Sequence, residues 1–169
     1  MKQIRTLLVA CALVLGASGF VNAQSKVAHI ASQELVEAMP AFKAAKAEIE
    51  KLNKTYDAEI RNMVLELQNT MKKYQAEAPN KTEEENTKRA QEVQATEKSI
   101  GDYRQNALKD LQKKEMELLK PIYESARVAI QKVARAQGFQ YVLDSTTGTG
   151  VIMADGKDLM ADVKKELGI

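Results

Sequence analysis

TEEENTKRAQEVQATEKSIGDYRQNALKDLQKKEMELLKPIYESARVAIQKVARAQ, residues 82–137, is a run of good helix formers interrupted only by Gly101 and Pro121. Thr82 followed by Glu85 reads as a capping box that opens a helix, and Gly138 closes it as a C-cap. At ~1.5 Å per residue this run makes roughly 80 Å of helix. Upstream, from Ala41 to about Ala78, there is neither Gly nor Pro, and Pro79-Asn80-Lys81 is the one turn signal between the two runs. No compact domain of this size is that wide, so the two helices must project as an antiparallel hairpin. The arm is expected over residues 41–135, with its tip turn near 79–82.

The apolar stripe on the first run falls at Ile49, Leu52, Tyr56, Ile60, Met63, Leu67, Met71 and Tyr74. The second run answers with Ile100, Tyr103, Ala107, Leu111, Leu118, Ile122, Ala129 and Val133, broken at Lys114 and Ser125. Steps of 3, 4 and 4 make an eleven-residue repeat, at ~3.67 residues per turn, which predicts a nearly straight or slightly right-handed seam.

The chain ends read differently. Lys26–Ala31 is a short apolar run suited to a strand, and Ser32 is placed to cap a short helix through Met39. Pro40 is tolerated as the first residue of the next helix. After Gly138, Phe139–Asp144 reads as a strand, Ser145–Gly150 as a turn and Val151–Met153 as a second strand, so a β-hairpin is expected. Asp158 can cap a terminal helix ending at Leu167. Strands at both ends must meet in one small body, residues 24–40 and 136–169, at the base of the arm. The fold class is therefore α+β and mostly α. So thin a core calls for oligomerisation.

Ahead of this lie 23 residues of targeting character. Lys2 and Arg5 precede an uncharged, mostly apolar run from Leu7 to Phe20, and Val21-Asn22-Ala23 offers small residues for cleavage after Ala23. The apolar run is short of the ~20 residues that span a bilayer, so it reads as a cleavable signal peptide. Removing it takes away Cys11, the one cysteine, and both charges of the formal +2, leaving 23 positive and 23 negative groups. Disulfides and thiolate chemistry are thereby excluded from the mature chain.

Little else offers chemistry. The one histidine, His29, lies inside a strand and reads as structural. There is no phosphate-binding Gly loop, no nucleophile elbow and no Cys/His cluster, so no catalytic, cofactor or metal residues are assigned and an enzyme is not expected. Glu83–Glu85 suits the positive end of a helix. Asp144 and Asp155 lack the Ca²⁺-loop spacing and read as strand-end and turn residues. Tyr56, Tyr74 and Tyr103 fall on the seam, and nothing makes a nucleic-acid platform. Charge does come in blocks. Residues 43–54 carry +2 and residues 104–135 carry +4, against −3 in the distal hairpin. This predicts a basic collar near the base of the arm, an electropositive wall with Lys43, Lys46, Lys51, Lys54, Lys109, Lys113, Lys120 and Arg127 as its client-facing candidates. Pro40 and Pro121 are the candidate pivot between body and arm.

Several strings resemble the Skp/OmpH family of periplasmic chaperones. They are Val27-Ala28-His29-Ile30 running into Gln33-Glu34-Leu35-Val36, the charged hairpin, Gly138-Phe139-Gln140-Tyr141-Val142-Leu143-Asp144, and Asp158-Leu159-Met160-Ala161-Asp162-Val163. The resemblance implies a homotrimer whose subunits close a small β-barrel body. Three helical arms would surround a cavity that holds unfolded outer-membrane proteins without ATP. The neutral mature chain departs from the basic character of that family, so no lipopolysaccharide- or membrane-binding residues are carried over. The expectation is a periplasmic holdase. The other reading of the same helices is a coiled-coil spacer or assembly adaptor of the envelope with no unfolded client.

Overall fold

The computed structural model describes residues 26–169; the expected signal peptide and its cleavage after Ala23 lie outside the described residues. The element order is β1 (Val27–Ile30), α1 (Ser32–Ala38), α2 (Pro40–Glu77), a 3₁₀ turn (Ala78–Asn80), α3 (Glu83–Ala136), β2 (Tyr141–Asp144), β3 (Lys157–Asp158) and α4 (Met160–Leu167). Pro40 starts α2 at its first position, where the missing N–H costs nothing. The capping box at Thr82 is present in both directions. The backbone N–H of Thr82 donates to Glu85 at 3.0 Å and so holds the Glu85 carboxyl at about 2, with Lys81 adding to the effect. Gly138 ends α3 with φ +74°, and the N–H of Phe139 closes back on the Ala134 carbonyl at 2.9 Å, the left-handed C-terminal arrangement that glycine permits.

Both chain ends do meet in one sheet, in the order β2-β1-β3. The expected β-hairpin, however, is absent. β1 is central and pairs in parallel with both neighbours, Val27 opposite Tyr141 and Ala28 opposite Lys157. Two strands that each run parallel to β1 run parallel to each other, and a tight turn cannot join them. The third strand is therefore Lys157–Asp158, while Val151–Met153 is irregular and leaves Ile152 wholly exposed. Gly156 passes β1 so closely that a Cβ there would stand 3.2 Å from the Val27 carbonyl oxygen.

Ser32 is not the cap of α1. The cap position is Ala31, which offers no side-chain bond. A carboxylate on the neighbouring strand does the work instead. The Ser32 N–H donates to Asp144 Oδ1 at 3.1 Å and the Ser32 hydroxyl to Oδ2 at 2.5 Å. Thr146 adds its own N–H and hydroxyl at 3.0 and 2.6 Å. Burial works to raise the Asp144 carboxyl, but these bonds overcome it and hold it at about 2. His29 is structural as expected, with Nδ1 3.2 Å from Ser145 Oγ.

The core lies where the sheet, α1 and α4 pack on the body end of α3. Leu35, Leu159 and Val163 are fully buried, with Ile30, Val36, Ala126 and Ala134 beside them. Along the arm, burial is sparse. Ala45, Ile100 and Ala107 are buried, while Ile49, Leu52, Tyr56, Ile60, Met63, Leu67 and Tyr74 are half-buried. On α3 the eleven-residue repeat holds, with Ile100, Leu111, Ile122 and Val133 all buried or half-buried, but on α2 it holds only to Ile60. Met71 is 44% exposed, and beyond Ile60 the seam runs Met63, Leu67, Thr70, Tyr74 and Glu77, alternating steps of 4 and 3 as in a heptad. The physical reason is that Thr70 sits between Leu67 and Tyr74 on the facing side, while Met71 is turned one residue outward.

Candidate functional site

The polar part of the arm is its middle and tip. Tyr56 and Tyr103 meet edge to face with ring centroids 6.1 Å apart. The Tyr56 hydroxyl donates to Asp110 at 2.5 Å and the Tyr103 hydroxyl donates to Glu59. That bond pushes the Tyr103 phenol up to about 12. Near the tip Arg89 lies over the Tyr74 ring, 4.5 Å from its centroid, and pairs with Glu77 at 2.6 Å. These groups join α2 to α3, and Tyr74 and Glu92 share with Glu66 a shallow cleft of about 250 Å³ between the two helices. Among the described residues no cluster of His, Cys, Asp or Glu could hold a metal ion.

The eight cations of the expected basic collar do not converge on one point. All eight cations are exposed on the hairpin. At ~100° per residue, Lys109, Lys113, Lys120 and Arg127 fall within about 40° of one another on α3, roughly opposite the seam. The four lysines of α2 are spread more widely: Lys43 and Lys54 lie away from the seam, Lys46 falls about 60° from Ile49, and Lys51 borders the slot beside Ile49, Leu52 and Leu118. Three of the eight are paired within their own helix: Lys54 with Glu50 at 2.6 Å, Lys113 with Glu117 at 3.8 Å and Arg127 with Glu124 at 2.6 Å. The other five, Lys43, Lys46, Lys51, Lys109 and Lys120, have no ion-pair partner among the described residues.

One feature escaped the sequence reading. Between the seam of α3 and its cationic row runs a second apolar row, Leu108, Met116, Leu119 and Tyr123. Leu108 is 61% exposed, Met116 65% and Tyr123 51%. The signal was available, since these residues are spaced 8, 3 and 4 apart and so share a side about 80° wide. It was hidden because the seam residues account for the helix without them. Toward the body the row meets a groove of about 400 Å³ between α3 and the sheet, walled by Ile130, Phe139 and Val142, with Arg127 and Arg135 at its rim.

The sheet carries a further exposed apolar face. Ala28 and Ile30 point into the core, whereas Val27 (39% exposed), Tyr141 and Leu143 face outward. Pro40 and Pro121 lie where the sequence placed them, Pro40 at the start of α2 and Pro121 inside an α3 that continues through it.

The OmpH family model, described as outer membrane protein (OmpH-like), matches residues 26–167. Proteins named chaperone protein Skp from Photorhabdus luminescens and Pectobacterium atrosepticum are each 26% identical over 155 residues, covering 92% of this chain and 93% of theirs. A crystal structure from Caulobacter crescentus described as an OmpH-like outer membrane chaperone superposes with a TM-score of 0.76 at 22% identity, over 87% of each chain.

Proposed function

The chain belongs to the OmpH family, and on that premise we propose that it is an ATP-independent holdase of the periplasm that keeps unfolded outer-membrane proteins from aggregating. The observation that carries this reading is the long hairpin itself. It buries little of its own surface and instead presents exposed apolar and cationic side chains beside a small body. Such a surface suits many weak contacts along a flexible chain, with avidity from several arms. It keeps exposed strand edges of different clients apart. The relatives named chaperone protein Skp support the same reading.

The body would be completed by trimerisation. Val27, Tyr141 and Leu143 form an apolar sheet face with no cover among the described residues, where β2 and β3 also leave open edges. The unpaired Val151–Met153 segment suits the same junction, where a neighbour's strand would shield Ile152 and Met153. The client-facing residues are then Lys43, Lys46, Lys51, Lys54, Lys109, Lys113, Lys120 and Arg127, with Pro40 and Pro121 as the pivot. Export would follow cleavage after Ala23.

The test is to dilute a β-barrel protein from urea into buffer with a stoichiometric amount of the mature chain. Suppressed light scattering without ATP is expected. Aggregation at the rate of the client alone would refute the reading, and binding of one folded partner only would favour the spacer. Sedimentation should show a trimer, so a folded monomer at micromolar concentration would sink the proposed assembly.

A further inference from the structure

Along α3 the two rows form one ribbon: Leu108, Met116, Leu119 and Tyr123 on one side, Lys109, Lys113, Lys120 and Arg127 on the other. The rows together span about 140° of the helix surface and, from Leu108 to Tyr123, roughly 22 Å of its length. Leu108, Met116 and Tyr123 are all more than half exposed among the described residues. Isolated exposed apolar residues are ordinary, but a row of them along one helix marks a contact surface. We propose that this ribbon is the surface on which a client is held. Its occupant is an extended, alternating segment with apolar side chains on one side and carboxylates on the other. The inference rests on the chaperone reading above and adds to it the chemistry of the segment preferred.

Three observations argue for that occupant. An extended chain places alternate side chains on opposite sides, so about seven residues of it, at ~3.3 Å each, match the length of the ribbon. Lys109 and Lys120 make no ion pair among the described residues, although Lys120 lies near enough to Glu124 to lower its carboxyl. The cationic row, Lys109 above all, therefore has charge to offer an incoming carboxylate. A second copy of the same ribbon is a poor occupant, because antiparallel packing would bring the two cationic rows together and parallel packing would set each cationic row on the other copy's apolar row. At its body end the ribbon also runs into the groove walled by Ile130, Phe139 and Val142, with Arg127 and Arg135 at the rim, which extends the same apolar and cationic character.

The experiment uses the mature chain, an unfolded β-barrel protein, and two fluorescent peptides of about nine residues that alternate valine with either aspartate or lysine. At low salt the aspartate peptide should bind at least about tenfold tighter than the lysine peptide, and the gap should close as salt rises. Met116→Gln with Tyr123→Gln, at exposed positions, should weaken the aspartate peptide and the unfolded client at least about fivefold with helicity unchanged. Lys109→Glu with Lys120→Glu should reverse the peptide preference. Lys72→Glu with Lys98→Glu, the same charge change on the distal arm, should leave it in place. The ribbon is overturned if the paired glutamine variant holds peptide and client like the parent. It is also overturned if the distal charge change reverses the preference, or if the glutamine substitutions alter sedimentation rather than client holding. In each of these cases the parent still holds its client. If the parent itself fails to hold the unfolded β-barrel protein, the chaperone reading falls and the ribbon with it.

Discussion

Replacing Asp144 tests how the body is joined. Its carboxylate accepts four hydrogen bonds, two from Ser32 and two from Thr146, and so caps α1 from a different strand. Asp144→Ala leaves the backbone N–H groups of Ser32 and Thr146 without a protein acceptor. Water reaches this half-buried site and replaces part of the loss. Net losses of about 1.5–3 kcal/mol for a bond to a charged acceptor and about 1 kcal/mol for a lost cap therefore give an expected cost of about 2–4 kcal/mol. Urea unfolding at fixed chain concentration should read that difference at pH 7. The sign with pH follows from the carboxyl being held at about 2, below its ordinary 3.8. A depressed carboxyl stabilises the fold above its unfolded value and loses that contribution as pH falls through its folded value. The gap between parent and variant should therefore be full above about pH 4 and shrink between about pH 4 and pH 2. A double-mutant cycle with Ser32→Ala should show coupling of about 1–3 kcal/mol. A gap below about 0.5 kcal/mol at pH 7, or one that does not shrink with acid, would refute the reasoning.

Three further outcomes are expected. Lys114 interrupts the apolar seam beside a slot of about 220 Å³ walled by Ile49, Leu52 and Leu118. Lys114→Leu should fill part of the slot and raise arm stability by about 1 kcal/mol, read as slower amide exchange in α2 and α3; faster exchange would show that the slot is not a packing defect. Leu143→Asp places a charge on the exposed sheet face opposite His29 and should lower the sedimenting mass toward that of a monomer, whereas an unchanged mass would exclude that face from the assembly. Pro121→Ala restores a backbone donor within α3 and should narrow the distribution of distances between spin labels near Asn80, while unchanged distributions together with unchanged capacity for a large client would leave Pro121 only a tolerated residue of the helix.

The arm was legible because its signals are local. A capping box needs four consecutive residues, and the run without Gly or Pro from Ala41 to Ala78 declares a helix over 38 residues. The seam was legible only as far as apolar identity tracks position. At Thr70 it fails, since a threonine takes the inner place while Met71, the more apolar neighbour, lies outside. The sheet was legible in composition but not in pairing. Val151–Met153 has strand chemistry, yet pairing depends on which strand lies at the centre. That is decided by β1, more than 100 residues away in sequence. The same distance hides the bond between Ser32 and Asp144. Ser32 looks like an ordinary local cap and Asp144 like a strand-end residue until the fold brings them together. The α3 ribbon was hidden for a different reason, because the seam residues already account for the helix and leave Leu108, Met116, Leu119 and Tyr123 looking like scattered surface positions.

The arm's packing also bears on how it would work. Where α2 and α3 face each other the contacts are alanines, half-buried aliphatics and hydrogen-bonded tyrosines, such as Ala45, Ala107, Tyr56 with Asp110, and Tyr74 with Glu92. Small and polar seam residues bury little apolar area per turn, so each turn contributes little to stability at ~25 cal/mol per Å². The fully buried large side chains, Ile30, Leu35, Leu159 and Val163, all lie in the body. Local opening should follow that division, with amide exchange fast in the arm and slow in the sheet and α1. On the proposed chaperone reading, a chain built this way would let its arms deform around clients of different size while a trimeric junction stayed intact. An arm packed as tightly as the body would resist that deformation, since close-packed interiors transmit strain rather than absorb it. The division of burial between arm and body therefore bears on capacity: substitutions that tighten the seam, Lys114→Leu among them, should stabilise the arm yet reduce the largest client held. Equal capacity in a measurably stiffer arm would separate arm compliance from holding.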